Sequence, residues 1–180
     1  MNIHLRKMNH NDLEKVMNWR MKPEVTQFMY TDPVLNMEIQ EKWYEQIKKK
    51  GDKYWILVCD NVDIGVIILL NIDTEKKICG WAHYIGELQY RGKKIMPLIE
   101  YNIYDYVFDI LNLEKLTCEF VEENQRAFDI HLKCGSKVEE KLYDNVLKNG
   151  IKYDVVRVAI TKNDWKEIKE NHQYEKITIE

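Results

Sequence analysis

Residues 78–110 read ICGWAHYIGELQYRGKKIMPLIEYNIYDYVFDI, and this stretch decides the fold. Its first third, Ile78 to Ile85, has the apolar and aromatic character of a strand. A short basic glycine loop follows, Gln89-Tyr90-Arg91-Gly92-Lys93-Lys94. Behind it Ile95, Leu98, Ile99, Ile103, Tyr106, Val107 and Ile110 recur at the three-and-four spacing of one helix face. A strand therefore runs straight into a helix N-terminus, where free N–H groups and the positive dipole end favour phosphate. Arg91, Lys93 and Lys94 add charge, and Gly92 allows close backbone approach. A basic turn is also an ordinary solvated feature of αβ proteins, so the ligand reading depends on what the rest of the chain supplies.

Upstream, Tyr54 to Cys59 and Ile64 to Asp73 are apolar runs joined by the polar turn Asp60-Asn61, which reads as a hairpin. With Ile78 to Ile85 they make an antiparallel meander, its second strand central because both of its faces are apolar. Before the meander come a strand from Ile3 to Met8 and a helix capped by Asn11 or Asp12 and carrying Leu13, Val16, Met17 and Trp19. Lys22-Pro23 ends that helix. An irregular connector from Val25 to Asn36 leads to a helix over Met37–Lys50 that places Ile39, Trp43 and Ile47 on one face, with Gly51 as its stop.

Downstream, Leu116 to Val121 is the strand that follows a helical crossover. Asn124 to Cys134 is a short helix carrying Ala127, Ile130, His131 and Cys134 on one face, and Gly135 ends it. Lys137–Leu147 and Ile151–Ile160 close the chain as a hairpin around Lys148-Asn149-Gly150. Trp165 falls in a last helical turn or two. Residues 1–170 read as one domain and 171–180 as a polar C-terminal tail free to fray. The order predicts an α+β fold with a mixed, mostly antiparallel sheet, splayed at a parallel pair and flanked by helices, with a ligand cleft at the splay.

Composition narrows the class. The 180 residues are 45% hydrophobic and 32% charged with a formal net charge of −3, an ordinary globular balance that gives no electrostatic reason to expect nucleic acid. Cys59, Cys79, Cys118 and Cys134 are widely spaced in apolar runs, so they are expected to be reduced and buried, and no metal-ligand spacing occurs. No apolar run reaches membrane-spanning length and no signal segment is read at the N-terminus, so no membrane partner is expected and the localisation is expected to be cytoplasmic.

Gln89-x-x-Gly92-x-Lys94 at the start of the long helix and Asn124-x-x-Ala127-x-x-x-His131 in the short one, in this element order, resemble the GNAT N-acetyltransferase superfamily over nearly the whole chain. The resemblance implies acetyl-coenzyme A as co-substrate with no metal, its pyrophosphate on the loop amides. Tyr84, Ile85, Gln89, Arg91, Gly92, Lys93, Lys94, Ile95 and Asn124 are then the expected cofactor contacts. Two positions depart from the family pattern: Lys94 where Gly or Ala is usual, expected in helical backbone, and Pro97 inside the first turns of the helix. Trp19-Arg20, Pro23-Glu24-Val25, Phe28-Met29-Tyr30, Trp81-x-x-Tyr84-Ile85-Gly86, Lys148-Asn149-Gly150-x-x-Tyr153-Asp154-Val155 and Trp165 further resemble the pseudaminic-acid-pathway branch. Those enzymes acetylate the 4-amino group of a UDP-4-amino-4,6-dideoxy sugar.

Acetyl transfer from a thioester needs a neutral amine, a donor for the oxyanion and a proton for the departing thiolate. The resemblance points to Glu119 as base, desolvated by its apolar strand; an outward-facing strand glutamate is the plain alternative. His131 stands where most relatives carry the acid tyrosine, and its plain alternative is a hydrogen-bonded core histidine. Arg20, Met29, Tyr30, Trp43, His83 and Tyr84 are the expected acceptor contacts, Arg20 toward a diphosphate; core packing serves Met29, Tyr30 and Trp43 equally, and His83 could also be a second base. Asn124 could equally cap its own helix. The acceptor implied is a UDP-amino sugar, with a homodimer compatible. The rivals are a polyamine or ribosomal-protein N-terminal acetyltransferase, for which Glu122-Glu123 and Glu139-Glu140 could supply acids, and a non-catalytic coenzyme-A-binding regulatory module.

Overall fold

A computed structural model describes residues 1–180. Eight strands form one sheet: β1 (Ile3–Lys7), β2 (Lys53–Cys59), β3 (Val62–Asp73), β4 (Ile78–Ile85), β5 (Lys115–Val121), β6 (Lys137–Lys148), β7 (Ile151–Thr161) and β8 (Thr178–Ile179). Their spatial order is β6-β7-β5-β4-β3-β2-β1-β8. All neighbours are antiparallel except β4–β5 and β1–β8, so the mixed α+β architecture read from the sequence is the one observed.

The helices are α1 (Leu13–Arg20), α2 (Pro23–Thr26), α3 (Met37–Lys50), α4 (Ile95–Asp105), α5 (Gln125–Lys133) and α6 (Lys162–Glu170). None is long and apolar enough to cross a membrane. The central strands are apolar on both faces because both faces are covered. Trp55, Leu57 and Cys59 of β2 join the larger core with Ile99, Ile103, Tyr104 and Trp165, whereas Ile56 and Val58 join a smaller one with Val16, Trp19 and Ile47.

Local chemistry sets the helix ends. Asn36 caps α3 by accepting from Ile39 N at 2.9 Å, and Gly51 ends it at φ +76°, a left-handed value that a side chain would resist. Gln40 rather than Ile39 is the buried residue at the start of α3; Ile39 is exposed. The first helix is capped differently from the expectation. Asn9, not Asn11 or Asp12, forms a capping box with Asp12 around a single 3-10 turn, because Arg6 already holds Asp12 at the end of β1. Pro97 is the third residue of α4, where its missing N–H has no intrahelical partner to lose. The last turn of this crossover, Tyr106–Ile110, is π-wound.

Residues 171–180 pack back against α4 and β1. Asn102 clamps them, donating to Glu175 O at 2.9 Å and accepting from Ile177 N at 3.1 Å. Asp105 collects Tyr174 OH at 2.5 Å, Lys169 Nζ at 2.6 Å, Trp165 Nε1 at 3.1 Å and Lys176. β8 then pairs with β1, and Trp55 Nε1 donates to Glu180 O at 2.7 Å.

Candidate active site

The β4–β5 ladder consists of Ile78↔Lys115, Cys79↔Leu116 and Gly80↔Thr117 and stops there. Beyond it β4 pairs only with β3, as far as Ile85↔Gly65, and β5 only with β7, as far as Val121↔Val155. Two strands that should share hydrogen bonds have parted. Gly86 N–H bonds to Ile64 O on β3, so strand alternation turns the backbone groups of His83 and Ile85 toward the gap. Their N–H groups are fixed donors along one wall.

At the mouth of the gap lies the glycine loop. Gly92 has φ +86°, and a Cβ there would meet only Arg126 Nη2, at 3.5 Å. Lys94 caps α4 at φ +58°, left-handed and not helical as the sequence reading had it, because the chain must reverse to start α4 at Ile95. Lys93 Nζ lies 4.5 Å over the Tyr90 ring. Gln89 is exposed beside it. Arg91 does not face outward: Nε and Nη2 donate to Ile85 O at 3.3 and 2.9 Å, and Nη1 donates to Glu24 O at 3.0 Å. It ties the loop to β4 and α2. Open charge at the loop therefore comes from Lys93, Lys94 and Arg126, the last of which the sequence reading did not single out. An open left-handed glycine, the unpaired first-turn amides of α4 and unpaired strand amides together suit an anionic group carrying an extended, amide-bearing arm. Asn124 serves as the cap of α5, accepting from Ala127 N at 3.3 Å.

One face of the gap is closed by the α1–α3 connector. Lys22 Nζ donates to Gly86 O at 2.9 Å, and Tyr30 OH donates to Glu119 Oε2 at 3.4 Å. Burial, then the Glu119 charge, pushes the Tyr30 phenol well up, so it remains a donor. Arg20 spends Nη2 on Thr31, at 2.8 Å from Oγ1, while its buried Nη1 has no partner. Burial pulls the Arg20 guanidinium below its ordinary value, with the Tyr84 side chain beside it. Met29 is half-buried in the same connector. Trp43 is not part of this wall; it packs edge-on against Tyr54, with ring centres 5.4 Å apart, in the smaller core.

Glu119 faces this side of the sheet and is exposed, not desolvated as the sequence reading expected. Arg157, opposite it on β7, donates from Nε to Oε1 at 2.7 Å and also reaches Glu140 Oε2 at 2.5 Å. Lys141 likewise neutralises Glu122 and Asp154. Lys115 pairs with Glu139, so of the acids offered for a polycation Glu122, Glu139 and Glu140 are paired internally.

On the opposite face, Trp81 and His83 of β4 and Cys118 and Phe120 of β5 flank the parting strands. His131 of α5 lies over them at 1% exposure, stacked on Phe120 at 5.3 Å and 5.7 Å from His83. Its Nδ1 lies 2.9 Å from Oε1 of Glu100, which is fully buried on α4. Burial pulls the His131 pKa down, but Cys118 and Glu100 outweigh it and raise the value to about 10. Burial, then the His131 charge, lowers His83 to about 3, so that ring stays neutral. Glu100 escaped the sequence reading, although a carboxylate among Ile99, Tyr101, Ile103 and Tyr104 was a visible signal. All four cysteines are free and buried, and no group of residues is arranged to hold a metal.

The architecture has known counterparts. A spermidine N-acetyltransferase from Vibrio cholerae, solved in complex with CoA and spermine, superposes with TM-score 0.85 over 92% of this chain and 98% of its own, at 22% identity. The chain is 24% identical over 164 residues to spermidine N(1)-acetyltransferase of Escherichia coli K12, covering 91% of this chain and 88% of that protein. It is 27% identical over 126 residues to acetyltransferase PseH of Campylobacter jejuni, covering 69% and 76%. The family model described as an acetyltransferase (GNAT) domain matches residues 2–137, which include the parted strands, the glycine loop and both histidines. The chain thus belongs to the GNAT acetyltransferase family and is an acetyl-CoA-dependent N-acetyltransferase.

Proposed function

We propose that the acceptor is the 4-amino group of a UDP-linked 4-amino-4,6-dideoxy sugar. The observation that carries this reading is Arg20, whose buried Nη1 lacks a partner beside Tyr84 and the connector. An unpaired buried guanidinium N–H costs on the order of 1–3 kcal/mol and calls for an anionic or strongly accepting ligand group, such as a diphosphate oxygen. A polycationic acceptor would instead meet this positive charge, with Glu119, Glu140 and Glu122 already held by Arg157 and Lys141.

Acetyl-CoA, with its pyrophosphate on the amides of Gly92 to Ile95 and on Lys93, Lys94 and Arg126, supplies an activated thioester carbonyl. The His83 and Ile85 amides hold the arm along the gap and are placed to donate to a developing oxyanion. Glu119 Oε2, left free of Arg157, takes a proton from the attacking amine directly or through water, and Tyr30 orients that oxygen. His131 delivers a proton on the other side. Met29 and Tyr84 line the acceptor side.

A polyamine acceptor is the second reading, favoured because the spermidine acetyltransferases match more of this chain than PseH does. Thiol release from acetyl-CoA is the test, with UDP-4-amino-4,6-dideoxy sugars and spermidine as acceptors. Turnover with a nucleotide sugar, and an Arg20→Ala variant with its KM raised at least tenfold for that acceptor only, is expected. Turnover with spermidine alone overturns the nucleotide-sugar reading.

A further inference from the structure

We propose that Glu100 is a positioning residue for the reaction: it holds the His131 ring as an imidazolium whose Nε2–H is presented where β4 and β5 part. The inference rests on the proton-donor reading of His131 given above. Three observations carry it. Glu100 is fully buried and His131 is 1% exposed, so neither interacts with solvent. Nδ1 is engaged by Glu100 Oε1 at 2.9 Å, whereas Nε2 is buried and has no partner. The ring lies among Trp81, His83 and Phe120, the side chains at and just past the last rung of the β4–β5 ladder.

A carboxylate buried alone would be prohibitively costly, and a buried imidazole alone would be neutral. Together they form a neutral pair. Tyr104 OH also donates to Glu100 Oε1 and has Ser136 Oγ 3.0 Å away, so Oε1 is held by two groups, whereas Oε2 is buried without a partner. This geometry decides the ring's role. With Nδ1–H donated to a carboxylate, the second proton sits on Nε2 and can leave from there alone. As the C–S bond breaks and sulfur takes the electron pair, His131 gives sulfur its Nε2 proton. The ring keeps its Nδ1 proton, still hydrogen-bonded to Glu100 Oε1, and becomes neutral imidazole. Glu119 passes the amine's proton to solvent, and His131 Nε2 takes one up from the gap once the thiol has left, so the cycle balances. The other titratable groups facing the pair are His83 from β4, Cys118 from β5, Tyr104 from α4 and Cys134 after α5. The neutral His83 adds no competing charge.

The test begins on ligand-free protein, with imidazole 15N shifts of His131 read from pH 6 to 9. Both nitrogens are expected to stay protonated through pH 8. A neutral ring at pH 7 overturns the proposal, whatever any variant does. Glu100→Gln keeps the shape and removes the charge, and is expected to give a His131 that titrates near or below pH 7. At pH 8 a group of pKa 7 is protonated in about one molecule in eleven, so kcat should fall about tenfold there and less at pH 6, at unchanged KM for acetyl-CoA. A loss equal at both pH values, or one confined to KM, would mark Glu100 as structural only. These readouts do not depend on which amine is acetylated, so a wrong acceptor and a wrong positioning residue fail separately.

Discussion

Gly65→Ala should damage the fold and the gap together. Gly65 lies opposite Ile85, and an added Cβ would sit 2.3 Å from Tyr84 O and 3.1 Å from Ile85 Cα. Both are backbone atoms, so relief requires shifting the end of β4 itself. Overpacking costs about 1–3 kcal/mol, and a backbone obstacle puts this substitution at the upper end. For a chain of this length each kcal/mol moves Tm by about 2–4 °C, so a fall of about 6–12 °C is expected by circular dichroism. Gly80→Ala is the control, because the one tight contact of its Cβ would be with the end of Leu70, at 2.9 Å from Cδ1, while Leu70 O lies at an ordinary 3.7 Å. That side chain can rotate, and the roughly 0.4–1 kcal/mol gained from a stiffer unfolded chain offsets part of the crowding. Its Tm should stay within about 3 °C of the parent's by that balance. Calorimetry below both melting points should show weaker acetyl-CoA binding for Gly65→Ala alone. A Gly65→Ala variant that melts with the parent, or a Gly80→Ala variant that falls as far, refutes the reasoning.

Two further outcomes follow from the clamped tail. Burial works against the Asp105 carboxylate, but Lys169, Lys176, Tyr174 and Trp165 outweigh it and hold its pKa below the ordinary value. A carboxylate depressed in the folded state stabilises fully above its unfolded pKa, near 4, and loses that contribution as pH falls through the lower folded value. Asp105→Asn should therefore melt below the parent at pH 7, the gap narrowing as pH falls below about 4; a difference that stays constant through the acid range would contradict the pairing. Truncation after Glu170 removes the half-buried Tyr174, Ile177 and Ile179, which at roughly half of full burial contribute about 2–4 kcal/mol in total. A Tm loss of about 4–16 °C with a red-shifted tryptophan emission is expected, and an unchanged melt would show that the docking contributes nothing.

Much of the frame was readable because periodicity and punctuation are local. Met37–Lys50 ends where Gly51 predicts, and Ile78–Ile85 has the bounds of its apolar and aromatic run. The Asn149-Gly150 turn has both residues at positive φ, as its sequence requires. What escaped was long-range. No local pattern says that Arg91 will turn back onto Ile85 O, or that Arg157, thirty-eight residues away, will occupy Glu119. Nor does polarity alone separate a fraying tail from one held by Asn102 and Asp105, since the residues that decide it lie on α4. Lys94 read as helical because only the turn's overall path, set by β4 and α4 together, forces it left-handed. Within the site, the chemical types were legible but their pairing was not: Glu119 and Glu100 are both glutamates in apolar company, yet one faces solvent and an arginine and the other a buried histidine.

The short β4–β5 ladder also bears on how the sheet holds together as a mechanical object. β1 to β4 with β8 form one leaf and β5 to β7 another, and each leaf is stitched by long ladders between strands that are mostly neighbours in sequence. Only three rungs join them, so the sheet is a two-leaf hinge with α4 as its strap. Amide hydrogen exchange would resolve the leaves as separate cooperative units, with the seam opening first. A ligand gripping both walls then acts as a rivet across the seam, adding to the one core that the two leaves share.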